Sequence, residues 1–138
     1  MNADQLFTLI NAEQYAVFST VFPDGRPQSA IMGFAVTPDL ELIFDTVKGS
    51  RKYPNLKRDP RMAVVMNAGS EVTIQYEGIA EELSGEAREK YLKVYFEKFP
   101  DGPARLAWNG IVHFVVRPKW LRYSDFNEAT RAIEEFTF

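Results

Sequence analysis

The run Phe44-Asp45-Thr46-Val47-Lys48-Gly49-Ser50-Arg51-Lys52 holds the densest set of chemistry-bearing side chains in this sequence. Asp45 and Thr46 end an apolar, strand-like stretch. A Gly-Ser loop follows, then two adjacent cations at the start of a short helical pattern containing Pro54. A hydroxyl, a planar guanidinium fork and a mobile ammonium are donors that suit a terminal phosphomonoester. Free N–H groups at a helix start favour the same anion. On these residues alone two readings stand open: an anion cradle built from Ser50, Arg51 and Lys52, or a solvated basic turn.

The elements that must position this segment are read from periodicity and turn chemistry. Asn2 or Asp4 caps a first helix with Leu6, Phe7 and Ile10 on one face. Strands are expected over residues 15–22, 28–36, 40–46, 61–67, 71–83 and 110–117, the last continuing toward Tyr123. Turn signals at residues 23–27, 37–39 and 67–70 separate several of them. Pro54 should fall in the first turn of the short helix, where its missing N–H matters least. The clearest helix is residues 85–99, with Tyr91, Leu92, Tyr95, Phe96 and Phe99 at helical spacing. Residues 127–136 read as a terminal helix. These expectations give a mainly β fold in one domain over residues 1–138, a six-stranded antiparallel barrel with peripheral α-helices.

Composition removes several classes of chemistry. The chain has 138 residues, 46% hydrophobic and 14% aromatic, enough for one globular core. The formal net charge is −3, so no basic field draws nucleic acid. With no cysteine and one histidine, thiolate chemistry and multi-histidine metal sites are excluded, and no metal site is expected. The first ten residues lack a signal-peptide pattern, and no run reaches the roughly 18 apolar residues of a membrane span. A cytoplasmic protein with no membrane or nucleic-acid partner is the expectation.

The order of short motifs carries a resemblance. Asp24-Gly25-Arg26-Pro27, Phe44-Asp45-Thr46, Gly49-Ser50-Arg51-Lys52, Asp59-Pro60-Arg61 and residues 77–83 follow one another as in the FMN-binding split barrels related to pyridoxamine 5'-phosphate oxidase. The resemblance spans residues 14–126 and implies a homodimer that holds FMN between subunits. By it, Arg51 and Lys52 would hold the FMN phosphate, with Ser50 beside them. Asp45 and Thr46 would lie along the flavin tail, and the strand around Ile31 and Met32 would pass the isoalloxazine ring. Thr73 stands where the oxidase has a glutamine on FMN, and Arg122 is a candidate for binding a small-molecule substrate. The implied activity is an FMN-dependent oxidoreductase whose catalytic residues are unassigned. A non-catalytic flavin module, a relative using F420 or haem, and a cofactor-free dimer stay open as alternatives.

Departures from the oxidase pattern narrow the substrate. Its substrate-phosphate lysine is Ala35 here, and Phe99 and Pro103 replace an arginine and a serine. Ser124 and Phe126 stand for a histidine and an arginine, and Ala30 replaces another arginine near the flavin strand. Each lost charged hydrogen bond is worth roughly 1.5–3 kcal/mol, so pyridoxamine phosphate is not the expected substrate. The remaining residues have structural readings beside functional ones. His113 could be a proton donor near a flavin, but a partly buried, hydrogen-bonded strand residue is expected; Trp108 and Trp120 could stack on a flavin ring, but core or interface packing is expected. The aromatic stripe of residues 91–99 is expected to be a packing face, and Arg122 is a substrate ligand or a salt-bridge partner. Glu81-Glu82 and Glu134-Glu135 are expected to be solvated.

Overall fold

A computed structural model describes residues 1–138. Helix α1 (Ala3–Asn11) opens the chain. Its Asn2 cap accepts from Gln5 N–H at 2.9 Å while the Gln5 side chain accepts from Asn2 N–H at 2.8 Å. This reciprocal box satisfies two otherwise orphaned donors. Leu6 and Ile10 are buried on the helix face turned to the sheet.

Eight strands form one antiparallel sheet: β1 (Tyr15–Val21), β2 (Pro27–Gly33), β3 (Ala35–Val36), β4 (Leu42–Val47), β5 (Arg61–Asn67), β6 (Val72–Glu82), β7 (Ile111–Asp125) and β8 (Ala132–Thr137). Their spatial order is β2-β1-β5-β6-β7-β4-β3, with β8 added along the C-terminal half of β7. The sheet curls into a split barrel around Phe18, Phe34, Phe44, Ile74, Tyr76 and Phe114, all nearly fully buried. Strict alternation of burial along β5 and most of β6 puts one face of each strand in this core. Tyr76 ties the core together, its hydroxyl donating to the carbonyls of Leu40 and Val116 at 2.9 and 3.0 Å.

Helix α2 (Lys52–Arg58) packs on β1 and contains Pro54 in its first turn. Helix α3 (Gly85–Lys98) covers the opposite side of β4 and β7. A smaller core of Ala35, Ile43, Leu83, Tyr91, Tyr95, Phe99 and Val115 lies beneath it. The N-terminal half of β7 is therefore buried on both faces, Val112, Phe114 and Val116 toward the barrel and His113 and Val115 toward α3. A 3-10 turn (Gly102–Ala107) leads back from α3 to β7.

Three expectations change. The 28–36 strand is two strands, because the chain bends at the fully buried Phe34 to pass from β1 to β4. The terminal helix expected over residues 127–136 is instead strand β8. Ile133 and Glu135 sit on one face and Glu134 and Phe136 on the other, and the open edge of β7 supplies the ladder. The strand count is thus eight rather than six. Edge pairing outweighed the helix-forming Ala, Arg and Glu residues of this segment. One bulge interrupts the long β6–β7 ladder between Glu77 and Gly78. A Cβ on Gly78 would lie 2.4 Å from the Arg117 carbonyl oxygen, so only glycine fits. No helix is long and apolar enough to cross a membrane.

Candidate functional site

Two of the expected phosphate donors, Ser50 and Lys52, converge with Thr46. The end of β4 brings Thr46 to the rim of the barrel, where its side chain is buried on the same face as Phe44. The following turn, closed by Ser50 N–H donating to the Val47 carbonyl at 3.0 Å, folds the Ser50 hydroxyl back over it. Thr46 Oγ1 donates to Ser50 Oγ at 2.9 Å, and Lys52 Nζ approaches Thr46 Oγ1 at 3.5 Å. These three line a cleft of about 350 Å³ with Met32, Asp45 and Trp108. Lys52 also lines an adjoining cavity of about 100 Å³ with Arg51, Ala30 and Gln28.

Neither Arg51 nor Lys52 has a carboxylate partner, whereas Arg61, Arg105, Arg117 and Arg122 are all ion-paired. Partial burial, and then the neighbouring Arg51 charge, hold the Lys52 ammonium below its ordinary range. Two adjacent cations, one of them half-buried and bonded only to a hydroxyl, form a site whose electrostatics an anion would relieve. The site suits a phosphomonoester for that reason. Helix α2 has only seven residues, so these side chains and not its dipole make the case.

Buried Asn55 sets the position of α2. Its Nδ2 donates to Thr20 Oγ1 at 3.0 Å on β1 and to Gln28 Oε1 at 2.9 Å on β2. Sequence reading passed over it; an asparagine inside a short helix, where it is a poor former, was the available signal.

Asp45 is engaged differently from the other donors. Register pairs it with His113, and alternation turns it away from the barrel core, toward the 3-10 turn. There Arg105 Nε donates to Asp45 Oδ2 at 2.6 Å, with both side chains about one-sixth exposed. The same guanidinium reaches Asp101 at 2.7 Å and the Tyr95 hydroxyl at 3.1 Å. Burial, followed by the Asp45 charge, pushes the Tyr95 hydroxyl up to about 12. Arg105 was invisible in the sequence because its partner lies 60 residues away.

The remaining expected residues stand elsewhere. Direct pairing places Ile31, Val17, Val65, Gln75 and Arg122 in one row across the outer face of the sheet. Thr73 is beside that row, opposite Asn67 and Ser124. Ile31 is 72% exposed, and Val65 and Ile133 on the same face are also exposed. Arg122 Nε donates to Glu135 Oε1 at 2.9 Å, the salt-bridge alternative for this residue. One chain therefore carries two groups: Met32, Asp45, Thr46, Ser50 and Lys52 around the cleft with Arg51 in the adjoining cavity, and Ile31, Thr73 and Arg122 on the outer face.

His113 is more buried than expected, at 1% exposure, and its Nε2 has no hydrogen-bond partner. Its Nδ1 lies 3.4 Å from Arg88, and the rings of Tyr95 and Phe96 meet it edge-on. Burial, then the Arg88 charge, push it down to about 4. The acidic pairs are not simply solvated. Glu82 accepts from Tyr53 at 2.8 Å and Lys57 at 3.2 Å, and Glu135 holds Arg122.

The curled sheet, the helix behind one edge and the polar cleft at the end of β4 define a split barrel. The sequence profile of pyridoxamine 5'-phosphate oxidase matches residues 3–124, and the chain belongs to that family. No curated protein matches it. Solved structures agree on the fold. A haem-binding protein of Mycobacterium smegmatis superposes with a TM-score of 0.85 at 14% identity, over 98% of this chain and 57% of its own. This chain therefore spans little more than half of that relative. A conserved hypothetical protein of Mycobacterium tuberculosis gives 0.74 at 24% identity, covering 91% and 85%. A pyridoxamine 5'-phosphate oxidase-related, FMN-binding protein of Nostoc punctiforme gives 0.66 at 13%, covering 99% and 92%.

Proposed function

We propose that this protein is an FMN-binding homodimer that acts as an oxidoreductase on a small molecule other than pyridoxamine phosphate. The observation that carries the reading is the convergence of Thr46, Ser50 and Lys52 in one cleft, beside an unpaired Arg51. These side chains would bind the FMN phosphate, and Met32 would lie along the ring. When bound, the flavin supplies the hydride or electron transfer, and the chain orients it and keeps water from one side.

The dimer reading rests on the division of the site. Ile31, Thr73 and Arg122 occupy an outer sheet face with exposed apolar side chains, apart from the cleft. A second copy seated on that face would bring its Thr73 and Arg122 to the first copy's flavin. Burial supports the exclusion of pyridoxamine phosphate. Ala35 and Phe99, at positions where the oxidase has phosphate ligands, are packed in the small core beneath α3.

Haem is the second reading, favoured by the M. smegmatis relative. Against it, the single histidine is 1% exposed and walled in by aromatic rings. An absorption spectrum of the purified protein, followed by titration with FMN, FAD, F420 and haem, tests both. Saturable FMN binding should weaken by about 2–5 kcal/mol in Arg51→Ala/Lys52→Ala, the scale of lost charged phosphate contacts. Unchanged affinity would refute the phosphate assignment, and a red, haem-loaded protein would replace the first reading with the second.

A further inference from the structure

We infer that Trp108 is an aromatic wall of the cleft and stacks against the planar ring of the bound flavin. The inference rests on the FMN reading above and adds to it a residue that neither the phosphate donors nor the outer face includes.

Trp108 is 57% exposed, unusual for the largest apolar side chain, and it lines the same cleft as Met32, Thr46, Ser50 and Lys52. An exposed aromatic can be a loose loop residue, but this one is fixed from both sides. Its N–H donates to the Arg105 carbonyl at 2.9 Å, and its carbonyl accepts from Ile111 N–H at 3.2 Å. The next turn runs through Gly110 at φ +75°, a left-handed conformation that glycine adopts freely, and the Gly110 carbonyl accepts from Lys48 N–H at 2.9 Å. That bond ties the Trp108 turn to the loop that carries Ser50.

The side chain is also backed. The Arg105 guanidinium centre lies 6.0 Å from the Trp108 ring, while Asp45, Asp101 and Tyr95 hold that guanidinium in place. With its main chain fixed and a cation on one side of the ring, Trp108 keeps the other side of its indole free for a second ring to stack on. Ser50, Lys52 and Trp108 line one cleft of about 350 Å³, so a phosphate at the first two and a ring at Trp108 would share it. The other tryptophan serves differently: Trp120 lies on the outer face, with its indole nitrogen 3.4 Å from Glu135.

The test uses the full chain with Trp120→Phe, leaving Trp108 as the only indole. Equilibrium dialysis gives FMN affinity, and the emission of the bound flavin reports ring contact, since an indole stacked on a flavin quenches it by electron transfer at contact range. Bound FMN should be dark in this background and brighten severalfold when Trp108→Phe is added. Trp108→Ala should weaken binding by about 5- to 50-fold, the range for losing one aromatic stacking partner. Inorganic phosphate should compete with FMN in every variant. If Trp108→Ala does not fold, the Trp108→Phe emission decides alone. FMN bound with equal affinity and equal brightness in all variants overturns the stacking and leaves the FMN reading intact. Failure of the parent protein to bind FMN overturns both.

Discussion

Replacing Arg105 by Met probes the joint between the candidate site and the rest of the fold. Methionine keeps the apolar stem and removes the charge. Three hydrogen bonds break. The one to Asp101 counts for little, because Asp101 is 73% exposed and such pairs contribute about 0–1 kcal/mol. The pair with Asp45 is different, since both side chains are about one-sixth exposed. Removing one partner of a buried pair leaves an uncompensated charge and costs about 3–5 kcal/mol; residual solvent access lowers the expectation to about 2–4 kcal/mol. The remedy is specific: adding Asp45→Asn removes the stranded charge, so the double variant should be less destabilised than the sum of the singles by at least about 1 kcal/mol. Urea unfolding of the four proteins at neutral pH measures this, provided the slopes agree. A loss under about 1 kcal/mol for Arg105→Met, or strictly additive costs, would refute the claim that this pair is buried and coupled.

Three further outcomes are expected. His113 is held neutral in the fold, at about 4 against an ordinary 6.5. The unfolded chain therefore binds its proton first: stability is full above about pH 6.5 and falls by up to about 3 kcal/mol toward pH 4. His113→Phe should flatten that slope in urea titrations at pH 7.5 and 4.5, and identical slopes would sink the assignment. Asn55→Leu strands Thr20 and Gln28 and should cost about 1–3 kcal/mol in thermal or urea unfolding, together with weaker FMN binding as α2 loosens. A variant that loses neither stability nor affinity would mean that Asn55 does not set α2. Gly78→Ala forces a methyl against the Arg117 carbonyl and should destabilise by about 2 kcal/mol or more, read by circular dichroism melts; a neutral effect would mean that the bulge relaxes freely.

Local signals explain what could be read from the sequence. The β5 and β6 alternation, the aromatic stripe of α3 and the capped α1 are each written within a dozen or so residues, and each formed where expected. The Thr46, Ser50 and Lys52 cluster is likewise a contiguous segment folding on itself. What escaped depends on distant partners. β8 has helix-forming residues and is a strand only because β7 overhangs β4 and offers an edge. The bend at Phe34 follows from closing the sheet, and the Asp45–Arg105 pair joins elements that only the packing of α3 brings together. Thr73 and Arg122 lie on the outer face apart from the cleft, a matter of strand register that no local pattern encodes.

The bend at Phe34 has a consequence for motion. The two outermost strands of the path, β2 and β3, are consecutive in the chain, so the gap of the split barrel is bridged by a covalent corner rather than by a hydrogen-bond ladder. Phe34 is pinned at this corner in the main core, and the Phe99 ring fills the space where Gly33 would carry a side chain. Opening of β2 away from β1 beyond Gly33 would require extracting a phenyl ring from the interior. Amide exchange along β2 should be fast relative to β4 and uncoupled from it. Fast exchange along β2 with slow exchange along β4 would show that the strand carrying Met32 moves about the Phe34 anchor while the opposite lip stays shut.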